Sequence, residues 1–175
     1  NNQYPQSIFT LWTEAERNAI DIYTVEEDNS KKKDEQWYIN TNVSYSFDGS
    51  KAKSSYGDAT ARAHADTLFT AQDETDGLGT EGDVKDEGLK TKLIRDVKNQ
   101  AQSELGKTDW YIVRKADTDE AVPSSIATHR AAVRSKQADM ETAITNASDT
   151  PALETLYTRN DSGVRPIGDL PIKEF

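Results

Sequence analysis

Few side chains in this sequence are suited to catalysis or to metal binding. The chain has no cysteine, which removes thiolate nucleophiles, disulfides and zinc–thiolate sites together. Its two histidines, His64 and His129, lack the short spacing that lets two imidazoles bind one metal ion. No G-x-S-x-G sequence marks a nucleophilic serine, although a Ser–His–Asp triad can be assembled from distant segments. The sequence therefore predicts no catalytic site, no metal site and no cofactor.

The acidic segment 73–88 offers oxygen ligands and invites comparison with a calcium-binding loop. It contains four glycines and seven acidic residues. If Asp73 took the first position of an EF-hand loop, Thr75, Gly77 and Val84 would take positions three, five and twelve. The third and fifth positions of that loop need oxygen ligands and the twelfth needs a glutamate, so the register fails. The composition indicates an exposed acidic hinge instead.

The overall charge limits the classes of partner that we expect. The chain has 21 basic and 31 acidic residues, which gives a net charge of −10 at pH 7. A field of that sign repels phosphate backbones and anionic lipid surfaces. The basic run 31–33 is flanked by acidic residues on both sides and is typical of a solvated turn. We therefore expect protein partners, with no nucleic acid and no membrane.

Hydrophobic periodicity predicts an α+β fold with a small N-terminal antiparallel β-meander and a helical C-terminal half. Strand patterns occur at 22–25, 37–40, 43–47 and 51–56. The third pattern alternates strictly between apolar and polar residues, and Asp48-Gly49 after it is typical of a tight hairpin turn. Thr13 and Glu16 fit a capping box at the start of a short helix, after a segment that we expect to be extended.

The remaining patterns are helical, apart from one aromatic strand. Helical patterns occur at 58–70, 85–105 and 123–146. Thr150-Pro151 predicts the start of a further short helix over 152–157, because Pro is well placed at a first helical position. A strand is predicted at 110–114, and an irregular tail at 160–175. These elements divide the chain into an N-terminal α+β docking region at 1–72, the acidic hinge at 73–88 and a helical region at 89–175.

Five side chains are candidates for contacts with a partner protein. They are Trp12, Trp110, Arg114, Arg130 and Arg134. Tryptophan supplies a large apolar area and an N–H donor, although it can equally be the main core residue of a thin domain. Arg130 and Arg134 lie one turn apart on a helix and share a face. We interpret the three arginines as a basic patch that binds carboxylates of a partner, the alternative being ordinary surface charge.

Two stretches of the chain resemble one family of proteins. Residues 5–25 contain PQSIF, LWTEAER and IDIY, similar to an opening motif in which a Trp and a Ser or Thr precede acidic residues and Arg. Asp21 stands where that motif has Gly. Residues 108–134 resemble a closing module of the form TDW…P…YR-x-x-x-R, with His129 in place of the Tyr. The family is that of small tail-fibre-assembly and tail accessory proteins of tailed bacteriophages, in particular those that infect aquatic bacteria.

The resemblance implies a non-enzymatic role in the virion tail. Such a protein would hold or adapt a tail fibre through contacts with other tail or fibre proteins, in multiple copies within a symmetric assembly. It would be synthesised in the cytoplasm of the bacterial host. Two alternatives stay open: a chaperone of tail-fibre assembly, and, from another class, a small tail-associated hydrolase.

Overall fold

A computed structural model describes residues 4–173, which form two compact units. The first unit runs to Ala61 and contains most of the strands, whereas the second begins at Arg62 and consists mainly of helices. This arrangement confirms the α+β class. The boundary between the units lies between Ala61 and Arg62 and not at the predicted hinge, because the acidic segment 73–88 lies inside the second unit.

Seven short elements make up the first unit. They are α1 (Ser7–Leu11), α2 (Glu14–Asn18), β1 (Val25–Asp28), β2 (Tyr38–Ile39), β3 (Ser44–Phe47), β4 (Ala52–Ser55) and β5 (Thr60–Ala61). β1, β4 and β3 form a three-stranded sheet in that order, and β2 pairs with β5. The β3–β4 hairpin is antiparallel as expected. β2 pairs antiparallel with β5, which lies in a segment predicted to be helical, and β1 pairs with β4 in parallel, unlike the strands of the predicted meander. β1 starts three residues later than its predicted strand.

The helix caps of the first unit are partly as predicted. Thr13 Oγ1 accepts a hydrogen bond from the Glu16 amide, and the Glu16 carboxylate accepts one from the Thr13 amide at 2.8 Å, which confirms the capping box. The segment before it is not extended, because residues 7–11 form the helical turn α1, which buries Ile8. Tertiary burial of one apolar side chain outweighs the weak local preference of so short a segment.

The second unit is organised around two long helices. Its elements are β6 (Thr67–Leu68), α3 (Ala71–Thr75), β7 (Val84–Asp86), α4 (Leu89–Gly106), α5 (Asp109–Thr118), α6 (Ser124–Asn146) and α7 (Thr150–Tyr157). α4, α6 and α7 confirm three of the predicted helices. The first two pack against each other, and their buried apolar side chains are Leu89, Leu93, Val97, Ala101, Ile126, Val133, Met140 and Ile144.

The helix predicted at 58–70 is wrong, since this segment forms β5, β6 and the bends between them. The backbone carbonyls of Ala63 and His64 accept hydrogen bonds from the first amides of α4, at 2.9 and 3.0 Å. A helix would use those carbonyls internally, so the segment instead satisfies orphan donors at the start of α4. Gly88 is needed there, because a Cβ would lie 2.3 Å from the Ala65 carbonyl oxygen.

The strand predicted at 110–114 is also wrong, because these residues belong to α5. Aromatic and β-branched residues favoured the strand prediction, but β-propensity reflects packing on a sheet more than an intrinsic backbone preference. The described residues give α5 no strand to pair with, and a helix satisfies its own backbone hydrogen bonds. Asp119, with a φ of 59°, ends the helix in the left-handed conformation.

Candidate interaction surfaces

The sheet of the first unit has its aromatic side chains on one face, together with Ser54 and Glu27, and polar side chains on the other. Tyr45 and Phe47 alternate along β3, and the register places Phe47 in one row with Ala52 and Val25. Val43, which immediately precedes β3, lies on the same face as Tyr45 by the same alternation. We call this surface the aromatic sheet face, defined by Val25, Val43, Tyr45 and Phe47. Tyr45 is 74% exposed and Phe47 52% exposed, so these rings lie on the surface of the molecule.

The opposite face of the same sheet is polar and internally paired. The Ser44 and Ser55 hydroxyls lie 3.2 Å apart across the hairpin, and Lys51 binds the Glu26 carboxylate. Lys53 lies 3.9 Å from the Asp48 carboxylate. A sheet with paired charges on one face and exposed aromatic rings on the other has the amphipathic character of a sheet that packs against another layer.

The buried core of the first unit is small. In residues 4–61 the buried hydrophobic side chains are Ile8, Trp37 and Tyr38. Trp37, at 3% exposed, is therefore a core residue, whereas Trp12 is 39% exposed and follows the exposed Phe9 and Leu11 of the α1 segment. The exposure of Trp12 leaves it accessible to a partner, and its contact role stays a prediction.

The arginine patch predicted on the second unit does not form, because Arg130 is buried. Only 6% of Arg130 is exposed, and its Nη1 donates to the Leu105 carbonyl at 2.7 Å, to Thr108 Oγ1 at 2.7 Å and to Asp109 Oδ1 at 2.8 Å. Leu105 lies at the end of α4 and Asp109 begins α5, so the guanidinium fixes the turn between the two helices. We call this group of four residues the Arg130 corner. Its role is structural, since a side chain this deeply buried cannot contribute to a surface patch.

The other two arginines lie in different surroundings. Arg114 stacks on Trp110, with its guanidinium carbon 4.6 Å from the ring centroid, and its Nη2 lies 3.1 Å from a Glu120 oxygen. Arg134 is exposed on α6 and lines a shallow depression beside Leu105. The structure thus brings Trp110 and Arg114 together and leaves Arg134 as the exposed cation of the predicted patch.

α5 forms a second exposed apolar surface. None of its side chains is buried, and Trp110, Ile112 and Val113 are 53%, 43% and 67% exposed. Because Trp110 and Val113 are three residues apart, they lie on neighbouring positions of one helix face. The prediction of Trp110 as a contact residue is compatible with this exposure and stays a prediction.

A buried carboxylate, that of Glu104, was missed by sequence reasoning. Glu104 is 6% exposed, and its Oε1 accepts from the Lys173 backbone amide at 3.0 Å and lies 3.1 Å from His129 Nε2. Lys107 binds the other carboxylate oxygen, and this bond above all holds the pKa of Glu104 below its ordinary value. The apolar spacing along α4 continues from Ala101 equally well to 104 or 105, and Leu105 is the apolar residue of the two, so the pattern gives no signal that Glu104 is buried.

The described residues contain no cluster of metal-binding side chains and no membrane-spanning helix. In residues 4–173, no group of three or more His, Asp or Glu side chains is placed to hold a metal ion. None of the helices in that range has the length and apolar character needed to cross a bilayer. Comparison of the chain with protein-family models, with curated proteins and with solved structures found no match in any of the three.

Proposed function

We propose that this chain is a non-enzymatic structural protein of a bacteriophage tail, which holds or adapts a tail fibre through protein–protein contacts. The observation that carries the interaction role is the aromatic sheet face, where Tyr45 and Phe47 are exposed on a unit with a very small core. Contiguous exposed apolar surface on a polar, acidic protein is typical of a site that binds another protein. The phage assignment rests on the resemblance of residues 5–25 and 108–134.

Residues 108–134, the second of the two stretches that carry the resemblance, are joined by contacts within the structure. Thr108 and Asp109, which begin the TDW sequence, bind Arg130 from the closing part of the module. The residues that carry the resemblance therefore fix the turn after α4 and hold Trp110 on an exposed helix. This supports a module that presents an aromatic helix to a partner, and it assigns no chemistry to the residues of the pattern.

The proposed partners are other tail or fibre proteins, which the chain would meet in several copies within a symmetric assembly. The net charge of −10 disfavours nucleic acid and anionic lipid as partners. Exposed aromatic residues are the side chains that contribute most to protein–protein affinity once a partner desolvates them. A chaperone of tail-fibre assembly would use the same surfaces, and it differs from a tail component in leaving the finished particle.

Quantitative mass spectrometry of purified particles tests the proposal. The phage that encodes the chain should carry it at a fixed copy number relative to its major tail protein, and the ratio should survive repeated purification. Presence in infected cells together with absence from particles would favour the chaperone. Particles that assemble with normal tails after deletion of the gene would contradict both roles.

A further inference from the structure

The C-terminal part of the chain crosses the helical unit without forming a helix or strand of its own. The Ile167 amide donates to the Leu156 carbonyl of α7 at 3.0 Å, and the Ile167 side chain is 3% exposed. Six residues later, the Lys173 amide donates to Glu104 of α4. We call residues 165–173 the C-terminal strap, which is attached at one apolar point and one charged point.

The charged attachment depends on a single carboxylate. Lys107 approaches Glu104 from α4 and His129 approaches it from α6, while the strap contributes the Lys173 amide. Arg165 and Asp169 are two further charged residues of the strap. They bind each other and, with Glu104, line a cavity between the strap and α4. An ionised carboxylate accepts from all three donors at once, and hydrogen bonds to a charged acceptor are about twice as strong as neutral ones.

We propose that Glu104 is an acid-sensitive fastener, and that residues 169–173 of the strap detach from the helices when this carboxylate is protonated, while Ile167 stays buried. The helices stay folded, because their shared core consists of apolar side chains such as Val97, Val133 and Ile144. The strap and α4 together line a cavity of about 300 Å³ next to Gln100 and Ser103, and detachment removes the wall that the strap contributes. This end of the strap is thus a part of the fold that can change state without the rest of the unit.

The direction of the pH dependence follows from the neighbours of the carboxylate. The bond from Lys107 lowers the pKa of Glu104 below its ordinary 4.5, burial opposes this, and the Lys173 amide and His129 lower it further. A group whose pKa is lowered by folding stabilises the folded form above its ordinary pKa and loses that effect as the pH falls through the lowered value. Residues 169–173 are therefore bound at neutral pH and leave in acid, below pH 4.5.

Nuclear magnetic resonance of the whole chain tests the fastener through the Lys173 amide. Its proton shift should titrate with a midpoint below 4.5, and the signals of residues 169–173 should move together to unfolded positions while those of Ile167, α4 and α6 stay. In Glu104→Gln the titration should vanish and the protection of the amide against exchange should fall by about tenfold or more. Glu141→Gln is the matched control, because Glu141 binds Lys98 and Gln137, both outside the strap.

A second variant tests the proposal in a folded protein if Glu104→Gln unfolds. Lys107→Met removes the principal cause of the lowered pKa from a half-exposed side chain, so it should shift the midpoint of strap release upward in a folded protein. Helix signals that disappear at the same pH as the strap signals would overturn the proposal. A Lys173 amide whose titration is the same in all three variants would overturn it as well.

Discussion

At the scale of single residues, Arg130 shows that an arginine predicted to lie on the surface can be a buried structural residue. Its spacing from Arg134 gives the two a common helix face, and sequence alone assigns them the same role. In the structure Arg130 is buried and binds three acceptors at the end of α4 and the start of α5, whereas Arg134 is exposed. The two arginines therefore form a matched pair for mutation, with the same residue type on the same helix.

Replacing Arg130 by Met should destabilise the protein, because it removes the buried donor that joins the Leu105 carbonyl, Thr108 and Asp109 across the turn between α4 and α5. We expect a loss of about 2 kcal/mol in the free energy of unfolding, moderated because the Asp109 carboxylate is largely exposed. Arg134→Met is the control and should change stability by less than about 0.5 kcal/mol. Urea denaturation of both variants measures the difference, and equal losses would contradict the structural role of Arg130.

The tryptophans offer a second comparison at this scale. Trp37 is 3% exposed and Trp110 is 53% exposed, although both precede a tyrosine in the sequence. Trp37→Ala should cost about 3 to 5 kcal/mol, enough to unfold a small unit, whereas Trp110→Ala should cost less than about 1 kcal/mol. Circular dichroism and urea denaturation measure both. Unfolding by Trp110→Ala would show that the ring is buried in solution.

At the scale of elements, periodicity was sufficient where a segment buries one continuous face. α4 and α6 were found because their apolar residues recur at helical spacing, α7 because Pro151 marks its start, and the β3–β4 hairpin because strict alternation precedes Asp48-Gly49. The helix prediction at 58–70 was wrong because amides of the distant helix α4 bind the backbone carbonyls of this segment. The strand prediction at 110–114 was wrong because an exposed helix such as α5 and a half-buried strand can have the same residue composition. The stacking of Arg114 on Trp110 could not be predicted from a strand over residues 110–114.

The hairpin turn yields a prediction of its own. The Asp48 carboxylate accepts from the Lys51 and Ser50 amides, at 2.8 and 3.0 Å, and these bonds with that of the Ser50 hydroxyl lower its pKa to about 2. The turn should therefore lose this support only as the pH falls from the ordinary 3.8 through about 2. Carboxyl carbon shifts measured against pH should give that midpoint, and a value near 3.8 would show an open turn.

At the scale of the whole molecule, the two units differ in how much core they contain. The buried apolar residues of the α4–α6 pair all belong to the second unit, while residues 4–61 bury Ile8, Trp37 and Tyr38. Sequence composition predicted a thin core, since only 34% of the chain is hydrophobic. It could not predict that the apolar residues of β3 are exposed, because exposure depends on what else packs against the sheet.

A fragment that begins at Arg62 should fold without the first unit, since its core is internal. We expect helical circular dichroism and a cooperative urea transition from residues 62–175. A fragment of residues 1–61 should be marginal, because a unit of this size with so few buried side chains gains little from burial. A non-cooperative transition in the longer fragment would contradict the division at Ala61 and Arg62.

The central claim is that the aromatic sheet face binds a tail or fibre protein, and incorporation of paired variants into particles tests it most directly. Tyr45→Ser with Phe47→Ser changes that face, and Ser44→Ala with Ser46→Ala changes the opposite face of the same strand. The first pair should reduce the copy number in purified particles at least tenfold, since two aromatic contacts of about 1 kcal/mol or more each are lost. The second pair should leave it unchanged, with both proteins equally folded by circular dichroism. Normal incorporation of the first pair would contradict the claim.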